Sequence, residues 1–367
     1  MGSCDPEPQK LWIETPGIPS APLSRAAGCN IFLKLENLQP SGSFKSRGIG
    51  NLMYQAMLTK KNAHFYCSSG GNAGLAAATS AAVLSRPCTI VVPMSTSQYM
   101  IDKIRLLGAK VHQVGAHWAL ADAHLRTELL AHDPDGVYVP PFDHPHVWTG
   151  ASTIVTELAS QLQAFGVSVP DAIVCSCGGG GLLNGIMEGV ENHFSSPSPN
   201  HNPNTNDHQQ QQRKPQVLAV ETDGADSLNA SVRAGALVTL PAITSIATSL
   251  GAPRVSERSF RWAREAPHLK SLVVTDAEAV MGAVRLADDA RMLVEVACGA
   301  TVATAYNGDL RRIVGGGSKG EEEEDGTEDE ALSDEEWSRK NVVLVVCGGS
   351  LVSLEILRAY QEKYNVK

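Results

Sequence analysis

The first residue of this chain whose position suggests chemistry is a lysine in a short polar segment. Lys45 lies within SFKSRG at 43–48, after a segment at 31–36 that alternates like a strand and before a helix-like segment at 50–57. A lysine amine at such a junction becomes a nucleophile where desolvation and nearby cations lower its pKa. Taken alone, the segment is more typical of a solvated lysine in a turn, because short motifs often occur by chance.

A run of four glycines adds a second kind of chemistry. Residues 178–181 follow the apolar, strand-like segment 172–177 and precede a helix-like segment that starts at Leu182. Backbone N–H groups without neighbouring side chains are open to an anion, so the run predicts a phosphate site, with a flexible hinge as the alternative. No Gly-Lys-Ser/Thr follows, which excludes a P-loop. A nucleophilic lysine together with a phosphate site points to pyridoxal phosphate, which a lysine holds as a Schiff base.

The composition is typical of a globular protein with a small-molecule ligand. The 367 residues, 43% of them hydrophobic, are enough for two compact domains. A net charge of −9 argues against a nucleic-acid or anionic-membrane partner. The eight cysteines form no CxxC pair and no zinc-type spacing, so we expect buried thiols in a reducing compartment. The first residues lack the pattern of a signal peptide and no apolar run is long enough to span a membrane, which makes the cytoplasm the expected location.

Strand-like and helix-like segments alternate along the chain. Strands are predicted at 31–36, 63–68, 88–93, 109–114, 172–177, 216–221 and 341–346. Helices are predicted at 73–82, 97–107 and 153–165, from Leu182 and from Leu351. This alternation indicates an α/β fold of doubly wound parallel sheets. Ligands bind beyond the carboxyl ends of such strands, where Lys45 and the turns 69–72, 178–181 and 347–350 are expected to lie.

Two low-complexity segments interrupt this pattern. Residues 195–214 are rich in Ser, Pro, Asn, His and Gln, and residues 315–340 contain a run of acidic side chains. Both have too little apolar surface to build a core, so we predict that they are disordered surface insertions. The acidic run is interpreted as a solvated loop and not as a cluster of catalytic acids.

Taken together, the motifs resemble one known family. Residues 40–45 (PSGSFK), 67–74 (CSSGGNAG), 178–182 (GGGGL) and 346–350 (VCGGS) are similar to those of the fold-type II pyridoxal-phosphate enzymes, the family of tryptophan synthase β and threonine deaminase. Within that family, the chain most closely resembles the L-serine dehydratase (serine/threonine ammonia-lyase) branch. The resemblance implies two doubly wound parallel-sheet domains with the cofactor in the cleft between them. The small domain is expected at 39–140, and the large domain at 1–38 and 141–367.

The resemblance also implies roles for individual residues. Lys45 is the expected Schiff-base lysine and the base that removes the substrate's α-proton, and Ser69 is the second expected catalytic residue. The implied cofactor-binding residues are Phe44, Lys45, Asn72, Gly178, Gly179, Gly180, Gly181 and Cys347. The implied substrate-binding residues are Ser69, Gly70, Gly71, Asn72 and Ala73. A monovalent cation, potassium, is implied at Gly178, Glu221, Ala225, Ser227, Leu250 and Ala252.

Some of these residues also fit ordinary structural roles. Phe44 alone would fit a core position, and Asn72 alone would fit a helix N-cap. Cys347 matches the position that faces the cofactor's pyridine nitrogen, where a thiol is a weak hydrogen-bonding partner and favours β-elimination over transamination. One departure from the family pattern is Val296, which stands where a proline is usual in Val-Glu-x-Ala-Cys-Gly.

The expected reaction is the dehydration and deamination of L-serine to pyruvate and ammonia, with slower conversion of L-threonine to 2-oxobutyrate. The alternatives are a β-replacement synthase of the cysteine synthase type, a serine racemase and a pseudoenzyme that binds pyridoxal phosphate. Gly70 argues against racemisation, because serine racemases carry a serine at the matching position, and glycine has no proton to donate. The resemblance further implies a homodimer that acts in amino-acid catabolism and gluconeogenesis.

Overall fold

The computed structural model describes residues 10–194, 214–316 and 331–366. The strands are β1 (Gly17–Pro19), β2 (Asn30–Lys34), β3 (His64–Cys67), β4 (Cys88–Val92), β5 (Lys110–Gln113), β6 (Gly136–Tyr138), β7 (Ala172–Ser176), β8 (Gln216–Thr222), β9 (Leu269–Val274) and β10 (Asn341–Val345). The helices are α1 (Ala21–Ala27), α2 (Lys45–Thr59), α3 (Asn72–Val83), α4 (Gln98–Leu106), α5 (Trp118–His124), α6 (Pro145–Gln161), α7 (Gly181–Phe194), α8 (Ser227–Ala234), α9 (Glu257–Glu265), α10 (Asp276–Ala290), α11 (Val296–Ala303), α12 (Asp309–Val314), α13 (Asp334–Ser338) and α14 (Leu354–Lys363). None of these helices is long and apolar enough to cross a membrane.

The strands form two sheets, and nearly all of their pairings are parallel. The six-stranded sheet has the order β1-β2-β10-β7-β8-β9, in which only β1 pairs antiparallel to its neighbour. The four-stranded sheet has the order β5-β4-β3-β6 and is parallel throughout. Strands buried along their length, such as β4 and β7, carry continuous apolar runs because helices cover both faces of a parallel sheet. The predicted α/β fold with parallel sheets is therefore confirmed.

The chain divides into two compact units, each built around one sheet. Among the described residues, the first unit contains residues 10–14 and Leu38–Ala151, and the second contains Thr15–Asn37 and the residues from Ser152 onward. These limits differ from the predicted domain boundaries at residues 10–14, 38 and 141–151. The cause is close packing on α2: a Cβ built on Gly50 would lie 2.9 Å from Leu11 Cβ, and one on Gly48 would lie 2.7 Å from Val147 Cγ1.

The predicted disorder of 315–340 is wrong for its last ten residues. Residues 331–340 include α13, whose N-terminus is closed by a capping box between Ser333 and Glu336. Trp337 of this helix is only 1% exposed, and its indole N–H donates to the Ala27 carbonyl at 2.8 Å. At the other insertion, Lys214 is a described residue and pairs with Glu191 at 2.7 Å. Residues 195–213 and 317–330 lie outside the described residues.

Several elements differ from the predicted ones in length or were not predicted. Helix α6 begins at Pro145, eight positions before the predicted start at Thr153, because proline is well suited to the first turn of a helix. The α5, β6, β9 and α10 elements had not been predicted at all. The capping box between Thr275 and Glu278 at the start of α10 is the local signal that would have located that helix.

Candidate active site

Lys45 is the first residue of α2 in the unit with the four-stranded sheet. Its Nζ donates a hydrogen bond to the Pro141 carbonyl at 2.5 Å and lies 5.2 Å from the centroid of the Phe44 ring. Burial raises the pKa of the Cys67 thiol, at the end of β3, to about 12, and the Lys45 charge opposes that rise. The Lys45 ammonium therefore lies within electrostatic reach of the strand end from which the 69–73 turn begins.

The predicted substrate turn connects β3 to α3 and is folded tightly onto that helix. Ser69 Oγ accepts a hydrogen bond from the Gly71 N–H at 3.3 Å, and a Cβ built on Gly74 would lie 1.9 Å from the Ser69 carbonyl oxygen. Gly71 is the N-cap of α3 and Asn72 is its first residue, so Asn72 does not hold the N-cap position. The first N–H groups of a helix have no partner within it and favour an anion, which suits a substrate carboxylate.

Gly70 has a crowded environment within this turn. A Cβ built on Gly70 would lie 2.6 Å from Thr96 Cγ2 and 3.2 Å from Val92 Cγ1. A side chain at this position would require the Thr96 side chain to move. The side chains of Thr96 and Val92 therefore occupy the space that a side chain at position 70 would need.

The predicted phosphate loop lies between β7 and α7 in the unit with the six-stranded sheet. Gly180 has a φ of +93°, and a Cβ there would lie 1.9 Å from Ser259 Oγ. At the start of the loop, a Cβ on Gly178 would lie 2.9 Å from the Leu250 Cα. Both positions therefore require glycine, one for its backbone conformation as well as for space, and this does not fit a flexible hinge.

The loop is fixed by a small buried polar cluster that sequence reasoning missed. The Gly179 carbonyl accepts from the Ser256 N–H at 3.1 Å, and the Gly180 carbonyl accepts from the Asn184 N–H at 2.8 Å. The Asn184 side chain accepts from Ser259 Oγ at 2.8 Å and donates to Ser256 Oγ at 3.0 Å. With two of its carbonyls held, the loop has fixed peptide planes, and the directions of its N–H groups are set in advance.

Cys347 follows β10 in the same unit and is buried. Its thiol donates to Ser176 Oγ at 3.9 Å, and Ser176 Oγ donates to the Ala297 carbonyl at 2.7 Å. A hydrogen bond with Cys298, burial and the charge of Glu295 together raise the pKa of Cys347 well above its ordinary value. Cys347 is therefore a neutral thiol at physiological pH, as the predicted weak interaction with a pyridine nitrogen requires.

The turn after Cys347 is supported by Glu295, a residue of the Val-Glu-x-Ala-Cys-Gly motif to which the sequence analysis had assigned no role. A Cβ on Gly349, which has a φ of +122°, would lie 2.2 Å from Glu295 Cδ. The Glu295 carboxylate accepts from the Leu351 N–H at 2.7 Å and from Ser249 Oγ. Val296, the departure from the family pattern, is the first residue of α11, a helix position at which proline is common.

Glu221 and Ser227 are the two candidate cation ligands that have side-chain oxygens, and both are buried. Glu221, at the end of β8, is fully buried and accepts from the Leu228 and Asn229 N–H groups, each at 2.8 Å. Burial raises the pKa of Glu221 to about 8, although these two hydrogen bonds oppose the rise. Ser227 Oγ is buried without a hydrogen-bond partner among the described residues.

The remaining candidate cation ligands could bind an ion only through their backbone carbonyls. Leu250 contacts Gly178 closely, and its carbonyl oxygen accepts from the Ala252 N–H at 2.7 Å. The Ala225 N–H donates to the Thr222 carbonyl at 2.8 Å, which leaves the Ala225 carbonyl as the group that a cation would use. Carbonyl and carboxylate oxygens are the ligands that hard cations prefer.

The chain is similar to known proteins over most of its length. Residues 9–319 match the family described as pyridoxal-phosphate dependent enzyme. A human protein named serine dehydratase-like is 41% identical over 347 residues, which cover 95% of this chain and 93% of that protein. The catabolic L-serine/threonine dehydratase of Saccharomyces cerevisiae is 37% identical over 335 residues, covering 88% of this chain and 84% of that one. The crystal structure of a fungal L-serine ammonia-lyase from Rhizomucor miehei matches with a TM-score of 0.81 and 35% identity, covering 97% of this chain and 100% of that one.

Proposed function

Since the chain belongs to the family of pyridoxal-phosphate dependent enzymes, we propose that it converts L-serine to pyruvate and ammonia, and L-threonine more slowly to 2-oxobutyrate. The names of the yeast and fungal relatives support this choice of substrate. The observation that carries the proposal is the buried, neutral thiol of Cys347 at the end of β10. Such a weak partner for the cofactor's ring nitrogen favours prompt loss of a β-leaving group over transamination.

The residues present fit the cofactor. Lys45, at the start of α2, would hold it covalently, with Phe44 against its ring and Asn72 bonded to its ring oxygen. The loop of Gly178, Gly179, Gly180 and Gly181 would hold its phosphate through backbone N–H groups, because the bonds to the Gly179 and Gly180 carbonyls fix the peptide planes of the loop. When bound, pyridoxal phosphate stabilises negative charge at the substrate Cα.

The chain's own residues then act on the substrate. The 69–73 turn would bind the carboxylate through its backbone N–H groups and Ser69, and so orient the Cα–H bond. The Lys45 amine would take the α-proton as a general base. Over the whole elimination, the α-proton and the β-hydroxyl leave as one molecule of water. The released enamine tautomerises to an imine, which takes up one water in solution and gives pyruvate and ammonium.

The activity and Lys45 are tested together in the purified protein supplied with pyridoxal phosphate. We expect pyruvate from L-serine, loss of turnover in Lys45→Ala and wild-type turnover in Lys110→Ala, whose side chain is exposed. Borohydride reduction followed by peptide mapping should label Lys45. No label, or a label on another lysine, would favour the pseudoenzyme, and a switch of product to cysteine on adding sulfide would favour the synthase.

We extend the proposal to potassium bound at Gly178, Glu221, Ala225, Ser227, Leu250 and Ala252. Two observations support it: the unpaired buried hydroxyl of Ser227, and the buried carboxyl of Glu221 with its raised pKa. An unpaired buried polar group is costly unless an ion, water or ligand satisfies it. Removal of the Ser227 hydroxyl should therefore weaken potassium binding without destabilising the potassium-free protein.

The pKa of Glu221 gives this site a pH signature. The folded pKa of Glu221, about 8, lies above its ordinary value of 4.5. Between those pH values the unfolded chain loses the proton and the folded protein keeps it, so the potassium-free protein loses stability as the pH rises. A cation binds the ionised form, so the potassium-induced rise in Tm should be larger at pH 9 than at pH 6. Caesium, which is too large for a compact site, serves as the control, and an equal effect of both ions at both pH values would contradict the assignment.

We further propose a cytoplasmic homodimer with a role in amino-acid catabolism and gluconeogenesis. Its supports are the family resemblance, the seven free and buried cysteines of the described chain, and a product, pyruvate, that both processes use. Light scattering on the purified protein should give twice the mass of one chain. A single-chain mass across the working concentration range would contradict the dimer.

A further inference from the structure

The turn assigned to the substrate is tied to a buried carboxylate on a helix that sequence analysis did not predict. Asp122 of α5 is 9% exposed and accepts hydrogen bonds from three side chains. Ser68 Oγ and the Tyr138 hydroxyl both donate to its Oδ1, at 2.6 and 2.7 Å. Arg126 Nε donates to its Oδ2 at 2.8 Å. The carboxylate is thus fully engaged and ionised.

Two of these partners, Ser68 and Tyr138, lie at the carboxyl ends of neighbouring strands. Ser68 directly follows β3, and Tyr138 is the last residue of β6, which pairs with β3 at Tyr66. The Arg126 guanidinium lies 3.8 Å from the centroid of the Tyr138 ring, which fixes the far side of the cluster. Asp122 therefore joins the edge of the sheet to α5 at the point where the chain enters the substrate turn.

Asp122 stays ionised near neutral pH, so protonation does not disturb its hydrogen bonds there. Burial acts to raise the pKa of Asp122, but the hydrogen bonds from Ser68, Tyr138 and Arg126 outweigh it and hold the pKa below its ordinary value. The carboxylate is ionised wherever the enzyme would work, and the adjacent guanidinium balances its charge. A substrate carboxylate in the neighbouring turn therefore meets a paired anion and not an isolated one.

The downstream end of the turn is already fixed by the contact of Gly74 with Ser69 and by the start of α3. Ser68, which is fully buried, is the fixed point at its upstream end. We infer that Asp122 is a positioning residue, which holds Ser68 so that the 69–73 turn keeps the geometry that binds the substrate carboxylate. The inference rests on the proposed assignment of that turn to the substrate.

Two substitutions separate positioning from simple packing. Ser68→Ala and Tyr138→Phe each remove one hydroxyl that donates to the same Asp122 oxygen, but only Ser68 is continuous with the turn. We expect Ser68→Ala to raise KM for L-serine about tenfold with kcat within about threefold, because it loosens ground-state binding of the carboxylate. Tyr138→Phe should leave KM within about twofold. Both variants should keep wild-type affinity for pyridoxal phosphate, measured by fluorescence titration.

Asp122→Asn provides a second variant if Ser68→Ala does not fold. It keeps an oxygen that Ser68 can reach and removes the charge paired with Arg126, so KM should rise less than about threefold, and a rise of tenfold or more would contradict positioning through the hydrogen bond to Ser68. An unchanged KM in Ser68→Ala, or an equal rise in Tyr138→Phe, would overturn the positioning role.

Ser69→Ala distinguishes failure of this inference from failure of the proposed site. If Ser69→Ala raises KM and Ser68→Ala does not, the turn binds substrate but Asp122 does not position it. If neither variant raises KM in an enzyme that makes pyruvate, the assignment of the turn itself is wrong. If the wild-type protein makes no pyruvate from L-serine, the proposed activity itself is rejected.

Discussion

Replacing Gly180 with alanine tests most directly whether the glycine loop is a rigid phosphate cradle. Gly180 has a φ of +93°, which costs a residue with a Cβ about 1 to 2 kcal/mol. The new Cβ would also lie 1.9 Å from Ser259 Oγ and 3.0 Å from Ser256 Oγ. Crowding of a packed site adds about 1 to 3 kcal/mol, so the free energy of unfolding should fall by about 2 to 5 kcal/mol.

The chain offers a matched control for the backbone part of this cost. Gly108 has a φ of +85°, and a Cβ there would meet no atom within 4 Å. Gly108→Ala should therefore lose only the backbone strain, about 1 to 2 kcal/mol, with unchanged cofactor binding. The double variant Gly180→Ala/Ser259→Ala should recover part of the loss, because it removes the closest atom, although the Ser259 Cβ remains 3.0 Å away.

Urea unfolding of the cofactor-free proteins measures the stability terms, and fluorescence titration measures affinity for pyridoxal phosphate. We expect Gly180→Ala to weaken cofactor binding at least about tenfold, because a shifted loop no longer directs its N–H groups at one point. Wild-type cofactor affinity in a folded Gly180→Ala protein would refute the assignment of the loop. Equal losses of stability in Gly180→Ala and Gly108→Ala would refute the clash.

Three further substitutions have defined outcomes. Gly70→Ser, combined with Thr96→Ala to remove the 2.6 Å contact, should produce D-serine detectable by chiral chromatography, because a serine at position 70 supplies a second acid-base group. Formation of D-serine by the wild type at a rate comparable to pyruvate would contradict the role of Gly70. Val296→Pro should raise the free energy of unfolding by about 0.4 to 1 kcal/mol with unchanged turnover, since Glu295 already has the φ of −66° and ψ of 157° that suit a residue before proline. A lower free energy of unfolding in this variant would contradict the prediction. Trp337→Ala should cost about 3 to 5 kcal/mol in urea unfolding, and a near-neutral effect would mean that α13 contributes nothing to the core.

Much of the architecture could be predicted because each buried parallel strand is a short apolar segment that can be recognised in the local sequence. Segments such as 172–177 and 341–346 are continuous apolar runs, and each is followed by a glycine-containing turn and a helix. The sequence therefore indicates where the strands end, and ligands of parallel sheets bind beyond the carboxyl ends of the strands. Lys45 at the start of α2 and the glycine run before α7 follow from this reasoning alone.

Other features were present in the sequence but were outweighed by composition. The acidic segment 315–340 was assigned to disorder as a whole, although Ser333 and Glu336 have the spacing of a capping box. Trp337 follows directly and is the kind of residue that a solvated loop lacks. A composition averaged over the segment hides one short helix whose single large side chain is buried.

The supports of the candidate site could not be predicted, because they depend on contacts between distant segments. Asn184 meets Ser256 and Ser259 across 72 and 75 positions, and Ser68 meets Asp122 across 54. Of these residues, only Ser68 lies within a recognised motif, and that motif gives no sign of its partner Asp122. Their residue types are common on ordinary helices, and only the fold brings them together.

The need for such supports follows from where the ligand turns lie. A strand's backbone groups are satisfied by its neighbours in the sheet, but the turn beyond its end leaves that ladder and must find other partners. In this chain, Asn184 and the adjacent serines hold the glycine loop, Glu295 holds the turn after β10, and Asp122 holds the entry to the 69–73 turn. Each is a buried polar side chain with several hydrogen bonds, which makes the turn rigid at a cost that only full satisfaction offsets. Substitutions at these positions should therefore alter binding through geometry, even though none of the three side chains is assigned to the cofactor or the substrate.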